Sequence, residues 1–420
     1  MSKVASKYEI PSNWHLNADG TYDVDGSVSL LSPYACDGRL VVKFRKVRGD
    51  FSCANLGLTT LEGCPEEVGD QFDCSYNKLH NLIGAPKVVM GDFICGYNQL
   101  YTLKGAPQKV KGDFHCEKNR LNYMKWAPKE VGGDFYCCDN YLVSLKGCPE
   151  SVGGDFHCNN NLLNILEGAP NVVGGTFNCD NNKLSNLSYS PTVIGNNYNC
   201  NRNGLISLKG APKVVPGNFF CISNKLTSLE GGPKEVGGEY HCGGNSLRTL
   251  NGAPDKLGSG FSCWENKLTN LEGAPQIVKG NFDCGQNRLI TLKGGPRIVK
   301  GTFHCENNNL TTLDGAPEAT GDFYARHNHL QNLDGLPQEV GVVDCSKNPI
   351  EVIHARYLPI LKPDNFKPGA LKRLSTIDWE GLTDSLYEYE QWIPKDTHIK
   401  HINMTPQQGR ELRVLQMSWV

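Results

Sequence analysis

Cysteine and histidine are the residues of this chain with the greatest capacity for chemistry, because their side chains bind metal ions and act as nucleophiles and bases. Eighteen cysteines and eleven histidines occur among the 420 residues. A structural zinc site draws on close pairs such as Cys-x-x-Cys, and the sequence contains none. Thirteen cysteines instead recur every 21 residues from Cys53 to Cys305, and Ala325 and Cys345 continue the series in two 20-residue steps. This spacing indicates fifteen copies of one structural unit and not a reactive centre.

Four cysteines lie outside this series and are poor candidates for a nucleophile: Cys36, Cys64, Cys138 and Cys148. Cys64 and Cys148 replace the alanine of a recurring Gly-Ala-Pro turn. Cys138 is expected to face outward beside Asp139, whose carboxylate disfavours the reactive thiolate. The motifs of phosphate-binding loops, serine hydrolases and zinc proteases are absent as well. We therefore predict no catalytic residue, no metal and no cofactor.

Each copy of the unit predicts one β-strand followed by a turn. In a typical copy, residues 152–170, Phe156 and Cys158 alternate with polar residues, which is the pattern of a strand with one buried face. Fifteen such strands in register would form a long parallel sheet on the concave face of a repeat solenoid. The leucines that follow, Leu163 and Leu166 in this copy, are expected to line the core behind the sheet. The Gly-Ala-Pro turn then reverses the chain, and the convex return is too short for a full helix.

Two rows of residues are expected to have structural roles. The fifteen ladder positions hold 14 cysteines, and their thiols are predicted to be buried and reduced, because disulfide frameworks belong to small secreted domains. Asparagine stands three residues after the ladder position in 14 copies, with Leu56 as the exception. A buried amide at that point can satisfy backbone groups where the chain leaves the strand.

The strand followed by Cys-x-x-Asn-x-Leu-x-x-Leu resembles the leucine-rich repeat, with Phe and Cys in two of the usual leucine positions. More narrowly, the repeat and the segment before it, residues 16–26, are similar to leucine-rich-repeat proteins of large tailed bacteriophages. The repeat pattern that carries this similarity is Val-Gly-Gly-Asp-Phe-x-Cys-x-x-Asn-x-Leu-x-x-Leu-x-Gly-Ala-Pro. The resemblance spans residues 14 to about 353 and departs from the pattern at Leu56, Ala325 and Val343. It implies a leucine-rich-repeat-like array and a phage origin.

The limits of the repeat divide the chain into three predicted regions. Residues 1–47 are expected to be an N-terminal cap with a β-hairpin that turns at residues 17–20. Residues 48–353 are the solenoid, and residues 354–420 are a C-terminal tail.

A short helix is predicted within this tail. Thr405 and Pro406 are typical of an N-cap and a first helical residue. Leu412, Leu415 and Trp419 then fall on one helical stripe. The tail is therefore expected to be a small helical C-terminal cap over the last repeat, with an interaction module as the alternative.

The exposed side of the predicted sheet is acidic. Four residues of each copy are expected to point outward: the residue before Phe, the residue between Phe and Cys, and the two residues after Cys. These positions hold 15 acidic and 4 basic residues, although the formal net charge of the whole chain is only −2. Such segregation favours a basic partner and disfavours nucleic acid on this face, with solvation of strand ends as the structural alternative. On four neighbouring copies the acidic residues before Phe are Asp92, Asp113, Asp134 and Asp155.

Large apolar and aromatic side chains interrupt this acidic surface in two places. Exposed aromatic residues are common hot spots of protein interfaces, although stacked rows also stabilise neighbouring strands without a ligand. We predict that both groups contact a partner. The first group comprises Tyr76, Ile94, Tyr97, His115, Tyr136 and His157, and the second comprises Phe220, Ile222 and Trp264.

Together these features predict a non-enzymatic protein-binding scaffold of a bacteriophage, whose concave face binds a host protein, such as a defence factor, and modulates or inhibits it. The alternative is a structural virion component or assembly factor. The first residues lack the apolar stretch of a signal peptide, and no run of 18 apolar residues occurs. A location in the host cytoplasm, without membrane contact, is therefore expected. The sequence leaves the oligomeric state open.

Overall fold

The computed structural model describes residues 13–350, 352–354, 376–378 and 398–400. The chain forms two compact units, residues 1–217 and residues 218–420. In each unit the copies of the repeat, called rungs below, stack as a parallel-sheet solenoid. Among the described residues the one helical element is a 3-10 turn at Ser32–Tyr34. The predicted leucine-rich-repeat-like solenoid with non-helical returns is thus confirmed.

The Phe-x-Cys segments form the predicted parallel sheet, called here the Phe/Cys sheet. Neighbouring strands pair in register, so that Phe93 lies between Phe72 and Phe114. In the first unit its strands are Val28–Ser29, Phe51–Ser52, Phe72–Asp73, Phe93–Ile94, Phe114–His115, Phe135–Tyr136, Phe156–His157, Phe177–Asn178 and Tyr198–Asn199. In the second unit they are Phe219–Phe220, Tyr240–His241, Phe261–Ser262, Phe282–Asp283, Phe303–His304, Phe323–Tyr324 and Val343–Asp344.

Short strands on the returns, which the sequence did not predict, also pair in parallel and are called here the valine sheet. Each has two residues in most rungs, of which the second is a buried valine, isoleucine or leucine. In the first unit the paired strands are Tyr22–Val24, Phe44–Val47, Glu67–Val68, Val88–Val89, Lys109–Val110, Glu130–Val131, Ser151–Val152, Val172–Val173 and Val193–Ile194, and Val214–Val215 is a further strand. In the second unit Glu235–Val236 pairs with Lys256–Leu257, and Ile277–Val278 pairs with Ile298–Val299.

The N-terminal segment pairs its first two strands as a hairpin. Trp14–Leu16 runs antiparallel to Tyr22–Val24, and the N–H of Gly20 donates to the carbonyl of Asn17 at 3.0 Å. A second antiparallel pair joins Ala35–Cys36 and Arg39–Leu40.

The described residues after Ile350 are strands. Val352–His354, Thr376–Asp378 and His398–Lys400 form a three-stranded parallel sheet. The predicted helix with Thr405, Pro406, Leu412, Leu415 and Trp419 lies outside the described residues.

The core consists of rows of equivalent side chains, one per rung and mostly of the same residue type. The rings of Phe135 and Phe156 stack with their centroids 5.2 Å apart, and both are fully buried. Each such ring contributes about 1.5–3 kcal/mol of hydrophobic stabilisation. The ladder cysteines are buried free thiols, as predicted. Several donate to the carbonyl of the next rung, as Cys95 Sγ does to His115 O at 3.1 Å, and leucine could not form this bond.

The asparagine row has the role predicted for it. In one rung, Asn161 Nδ2 donates to the carbonyl oxygens of Cys137 at 3.1 Å, Cys158 at 3.1 Å and Asn159 at 3.2 Å. Its Oδ1 accepts from the N–H of Leu142 at 2.9 Å. One buried side chain therefore satisfies backbone groups of two rungs at the point where the chain leaves the strand.

The exception at Leu56 has a geometric reason. Each asparagine binds the backbone of the rung before it, as Asn77 Oδ1 accepts from the N–H of Leu56 at 3.0 Å and of Leu58 at 2.9 Å. The strand before the first rung is Val28–Ser29, after which the chain enters the 3-10 turn at Ser32–Tyr34. An asparagine at position 56 would therefore lack the backbone groups that the other asparagines bond to on the preceding rung.

Thiol titration is expected to detect one rapidly reacting cysteine in the native protein. Among the 18 cysteines, all of which the structure describes, Cys36 alone is exposed. Burial, and secondarily the Asp139 carboxylate, raise the pKa of Cys138 to about 12, and burial raises the pKa of Cys148 well above its usual range. Cys36→Ser should remove the fast phase of reaction with a chromogenic disulfide reagent at pH 8, and denaturant should release the other thiols. Fast reaction of several thiols in Cys36→Ser would contradict the buried row.

Candidate functional site

The outward side chains of the Phe/Cys sheet form the polar face, which comprises the residue before Phe, the residue between Phe and Cys, and the two residues after Cys. The second residue after the ladder position has a left-handed backbone in every rung, with φ between 46° and 63°. Asparagine, aspartate and glycine tolerate this conformation, whereas other residues incur a cost on the order of 1 kcal/mol. The bend turns the chain out of the strand and leaves this side chain exposed or half-buried.

Two tyrosines occupy the left-handed position on neighbouring rungs. Tyr76 and Tyr97 both have φ of 54°, and their rings stack with centroids 4.3 Å apart. Lys118 follows on the next rung, with its Nζ 4.9 Å from the centroid of the Tyr97 ring. Tyr76 is 55% exposed and Tyr97 is 37% exposed. The result is a pair of stacked, accessible phenols on a conformationally unfavourable backbone.

The remaining predicted residues of the first group form a second row, at the position between Phe and Cys. Ile94, His115, Tyr136 and His157 lie on successive rungs and are half-buried. The Tyr136 ring stacks on His115 at 4.4 Å and on His157 at 4.8 Å between centroids. The structure thus brings all six residues of the group onto adjacent rungs. The stacking also stabilises neighbouring strands, which requires no partner.

Four successive aspartates that precede Phe in the first unit form a hydrogen-bonded ladder. Oδ1 of each carboxylate accepts from a backbone N–H of the next rung, at distances from 2.6 to 2.8 Å. This structural role differs from the simple solvation of strand ends considered above, and it occupies one oxygen of each carboxylate. The negative charge stays on the polar face. The aspartates in this ladder are Asp92, Asp113, Asp134 and Asp155.

In the second unit, the predicted apolar residues lie on two rungs that are separated by one rung. The Phe220 ring stacks on His241, with centroids 5.1 Å apart. Trp264 covers the backbone of Gly243, since a Cβ built on this glycine would overlap the indole nitrogen. Phe220, Ile222 and Trp264 are all half-buried. Glycine at position 243 is therefore what allows the tryptophan to lie flat on the sheet.

Two histidines of the polar face contact the glutamate that follows two residues later. His115 Nδ1 lies 3.5 Å from Glu117 Oε2, and His304 Nδ1 lies 3.2 Å from Glu306 Oε1. Burial alone lowers the pKa of His115, but the contact with Glu117 and its charge outweigh burial and raise the pKa above its usual value. The hydrogen bond with Glu306 raises the pKa of His304 against the opposing effect of burial. Sequence reasoning missed these pairs, although His-Cys-Glu occurs twice.

The stabilising effect of these two histidines is expected to decline as pH rises. A histidine whose folded pKa exceeds its unfolded value of about 6.5 stabilises the fold fully below that pH and loses this contribution as pH passes the folded pKa. The difference in thermal midpoint between wild type and the double variant His115→Gln/His304→Gln should therefore be largest below about pH 6.5 and shrink at higher pH. A difference that grows with pH would show that the glutamates do not favour the protonated imidazoles.

Five exposed aromatic side chains away from the polar face were also missed. They are between 47% and 61% exposed and comprise Tyr101, Tyr123, Trp126, Tyr141 and Tyr189. They lie between the two core leucines, next to them, or in the following turn, where residue type varies among rungs. Periodicity therefore gives no signal for them.

Within the described residues, no group of three or more His, Cys, Asp or Glu side chains is placed to hold a metal ion. None of these residues belongs to a helix with the length and apolar character needed to cross a lipid bilayer.

No protein-family model and no curated protein sequence matches the chain. Among solved structures, it is similar to YopM from Yersinia enterocolitica WA-314, with a TM-score of 0.49 and 16% identity over 87% of this chain and 86% of that chain. It is similar to YopM from Yersinia pestis, a leucine-rich effector protein, with a TM-score of 0.49 and 19% identity over 79% of this chain and 88% of that chain. It is also similar to the APL1 leucine-rich repeat domain, with a TM-score of 0.43 and 12% identity over 84% and 92% of the two chains. The assignment of a leucine-rich-repeat-like solenoid rests on the strand register of this chain itself.

Proposed function

We propose that this chain is a non-enzymatic protein-binding scaffold of a bacteriophage that binds a host protein with a basic surface on its polar face and thereby modulates or inhibits it. The observation that carries the proposal is the Tyr76/Tyr97 pair. Two large side chains are kept exposed at a backbone position that favours asparagine or glycine. Folding does not require them, because other rungs have Asn, Ser or Gly there. Backbone strain at residues that folding does not require is typical of functional surfaces.

The chemistry of the polar face supports a basic partner. Its 15 acidic and 4 basic residues give a negative field that attracts positive charge from a distance. The aspartate ladder fixes part of this charge on rigid backbone, since each carboxylate is held by the next rung. The stacked tyrosines supply the apolar contact that affinity requires. The phage origin in the proposal is supported by the similarity of the repeat sequence to leucine-rich-repeat proteins of large tailed bacteriophages.

Substitution of the tyrosine pair tests the proposal without unfolding the chain. In Tyr76→Asn/Tyr97→Asn, relief of left-handed strain offsets the loss of ring stacking, so the thermal midpoint should stay near that of wild type. Immobilised wild-type protein would capture partners from a lysate of the host bacterium, and a captured partner would then be titrated directly. The double variant is expected to bind about 30-fold more weakly or worse.

The matched control is Tyr101→Asn/Tyr141→Asn, which makes the same chemical change at two exposed tyrosines away from the polar face. This control should retain wild-type affinity. Equal binding by wild type and the Tyr76/Tyr97 variant, or equal loss in both double variants, would exclude the polar face as the docking surface.

A further inference from the structure

Four successive rungs of the first unit combine basic and aromatic side chains on the segment that directly follows the asparagine row. Together these four segments hold five basic residues and no acidic residue. The same segment contains Glu62 in the rung before them and Glu167 in the rung after them, so the acid-free run has definite limits. We call this surface the basic edge, and it comprises residues 78–84, 99–105, 120–126 and 141–147.

Four of the five cations on the basic edge lack an acidic partner. Lys146 pairs with Glu167, with Nζ 2.9 Å from Oε1. The other four are exposed and form no ion pair with any residue that the structure describes. Like charges on one edge repel each other, and an anionic ligand would relieve this repulsion. The four unpaired cations are Lys78, Lys104, Arg120 and Lys125.

Four exposed aromatic rings stand among these cations. Tyr101, Tyr123 and Tyr141 lie on three successive rungs and are 56%, 53% and 57% exposed. Trp126 is 47% exposed and occupies the turn position that holds glycine in most rungs. Its φ of 75° is unfavourable for tryptophan and suits glycine, so folding does not account for a large ring at this point. Nζ of Lys125 lies 5.3 Å from the centroid of the Trp126 ring, which joins charge and ring directly.

The backbone fixes the spacing of these side chains along the solenoid. The N–H of Arg120 donates to the carbonyl of Leu100 at 2.9 Å, and the N–H of Tyr141 donates to the carbonyl of Leu121 at 2.8 Å. Paired parallel segments place successive rungs about 4.8 Å apart. The basic edge therefore presents its cations and rings over about 15 Å, which is long enough for several nucleotides of one strand.

Cations interleaved with exposed rings fit the chemistry of a single-stranded nucleic acid. Its phosphates attract lysine and arginine, and its unpaired bases stack on aromatic side chains. A duplex offers the same phosphates but keeps its bases stacked inside, which would leave the four rings without a role. An anionic membrane is bound through a broad apolar face. Apart from the rings, the basic edge exposes two large apolar side chains, Ile83 and Val143.

We propose that the basic edge binds a single strand of nucleic acid, whose phosphates pair with the four free cations and whose bases stack on the tyrosines and Trp126. This inference goes beyond the proposed function, because it concerns a different surface and a ligand of the opposite charge. It does not depend on the capture of a host protein by the polar face.

Fluorescence anisotropy of a labelled oligothymidylate of about 12 nucleotides, titrated with the full chain, tests the inference. Each phosphate that a cation neutralises contributes about −0.7 to the slope of log affinity against log salt, so four contacts should give a slope of about −3. A duplex of the same length is expected to bind about tenfold more weakly, because its bases cannot stack on the rings.

Two double variants separate the contributions of rings and cations. Tyr101→Asn/Tyr141→Asn should weaken binding of the oligothymidylate about 30-fold or more and leave the salt slope unchanged. Lys104→Gln/Lys125→Gln should reduce the slope to about half, because two of the four phosphate contacts are lost. All four side chains are exposed, so the thermal midpoints should stay near that of wild type.

Matched controls make the same chemical changes elsewhere in the first unit. Tyr76→Asn/Tyr97→Asn replaces two exposed tyrosines of the polar face. Lys46→Gln/Lys109→Gln removes two lysines of the valine sheet, each of which pairs with a glutamate of the next rung. Both controls should retain the affinity and the salt slope of wild type.

The outcomes separate this inference from the proposed function. No binding of the oligothymidylate at low salt, equal affinity for the duplex, or unchanged affinity in Tyr101→Asn/Tyr141→Asn would overturn the inference. Binding of phosphatidylglycerol vesicles without binding of the oligothymidylate would also overturn it, in favour of a membrane surface. Oligothymidylate binding that needs Tyr101 and Tyr141, without capture of any host protein through Tyr76 and Tyr97, would uphold the inference and overturn the proposed function.

Discussion

Replacement of Asn161 by alanine is expected to lower the free energy of unfolding by about 2–4 kcal/mol, because the buried N–H of Leu142 loses its hydrogen bond and three carbonyl oxygens each lose one of their two donors. The amide of Asn161 donates to three carbonyl oxygens and accepts from the N–H of Leu142. Asn161 itself is 6% exposed, so water does not readily replace these bonds. Each unsatisfied buried group costs about 1–3 kcal/mol. Denaturant unfolding followed by circular dichroism measures the change.

Asn159 provides a matched control in the same rung, since its side chain lies half-buried on the polar face. Asn159→Ala is expected to change the free energy of unfolding by less than about 0.5 kcal/mol. The stability of a solenoid is approximately a sum of contributions from neighbouring rungs, so the loss in Asn161→Ala should be local. Hydrogen exchange at the amide of Leu142 should accelerate in that variant alone. Equal effects of the two substitutions would show that the asparagine row does not hold the rungs together.

The Phe/Cys sheet could be predicted from the sequence because its core positions demand the same or a closely similar residue type in nearly every rung. A ring at Phe156 must stack on its equivalents in neighbouring rungs, and the amide of Asn161 must reach the same backbone groups as its counterparts. Such requirements repeat with the rung and appear as a period of 21 residues. The departure at Leu56 follows from the same geometry, because its preceding segment is not a regular rung.

The valine sheet could not be predicted, because its strands are too short to show alternation. In a rung such as Ser151–Val152 only one residue is buried, so the strand shows no alternation, although the buried residue recurs from rung to rung. The left-handed position was missed for a different reason. Its conformation is the same in every rung, but residue types as different as tyrosine, lysine and asparagine occupy it. Backbone geometry is constant there while the side chain is free to vary, which is what a binding surface needs.

The position of the glutamate in each His-Cys-Glu motif depends on side-chain orientation and so lay beyond sequence reasoning. A Cβ built on Gly96 would lie 2.6 Å from Glu117 Oε1, whereas a Cβ built on Gly285 would lie 3.9 Å from Glu306 Oε2. Their neighbours on the adjoining rungs differ, since Arg326 contacts Glu306 where Cys138 occupies the equivalent position beside Glu117. Recognition of the repeated motif would have located the two His–Glu pairs but not this difference between them.

The recurring Gly-Gly-Asp-Phe segment shows how a structural ladder and a charged surface depend on the same residues. A Cβ built on Gly153 would overlap the carbonyl oxygen of Gly132 on the preceding rung, which is backbone and cannot turn aside. A Cβ built on Gly154 would overlap Oδ1 of Asp134, which is a side-chain atom. The first glycine allows close approach of two backbones, and the second leaves room for the ladder carboxylate.

Gly153→Ala is therefore expected to lower the free energy of unfolding by about 3 kcal/mol or more, and Gly154→Ala by about 1–2 kcal/mol, because a displaced side chain costs less than a displaced backbone. In Gly154→Ala the Asp134 carboxylate can rotate away and lose its 2.6 Å bond to the N–H of Asp155. Asp134→Ala removes that carboxylate, so the double variant with Gly154→Ala should be more stable than additivity predicts, by about 1 kcal/mol. The double variant with Gly153→Ala should show no such coupling, because the carbonyl of Gly132 remains. Additive losses in both double variants would mean that the second glycine is not kept to accommodate the aspartate.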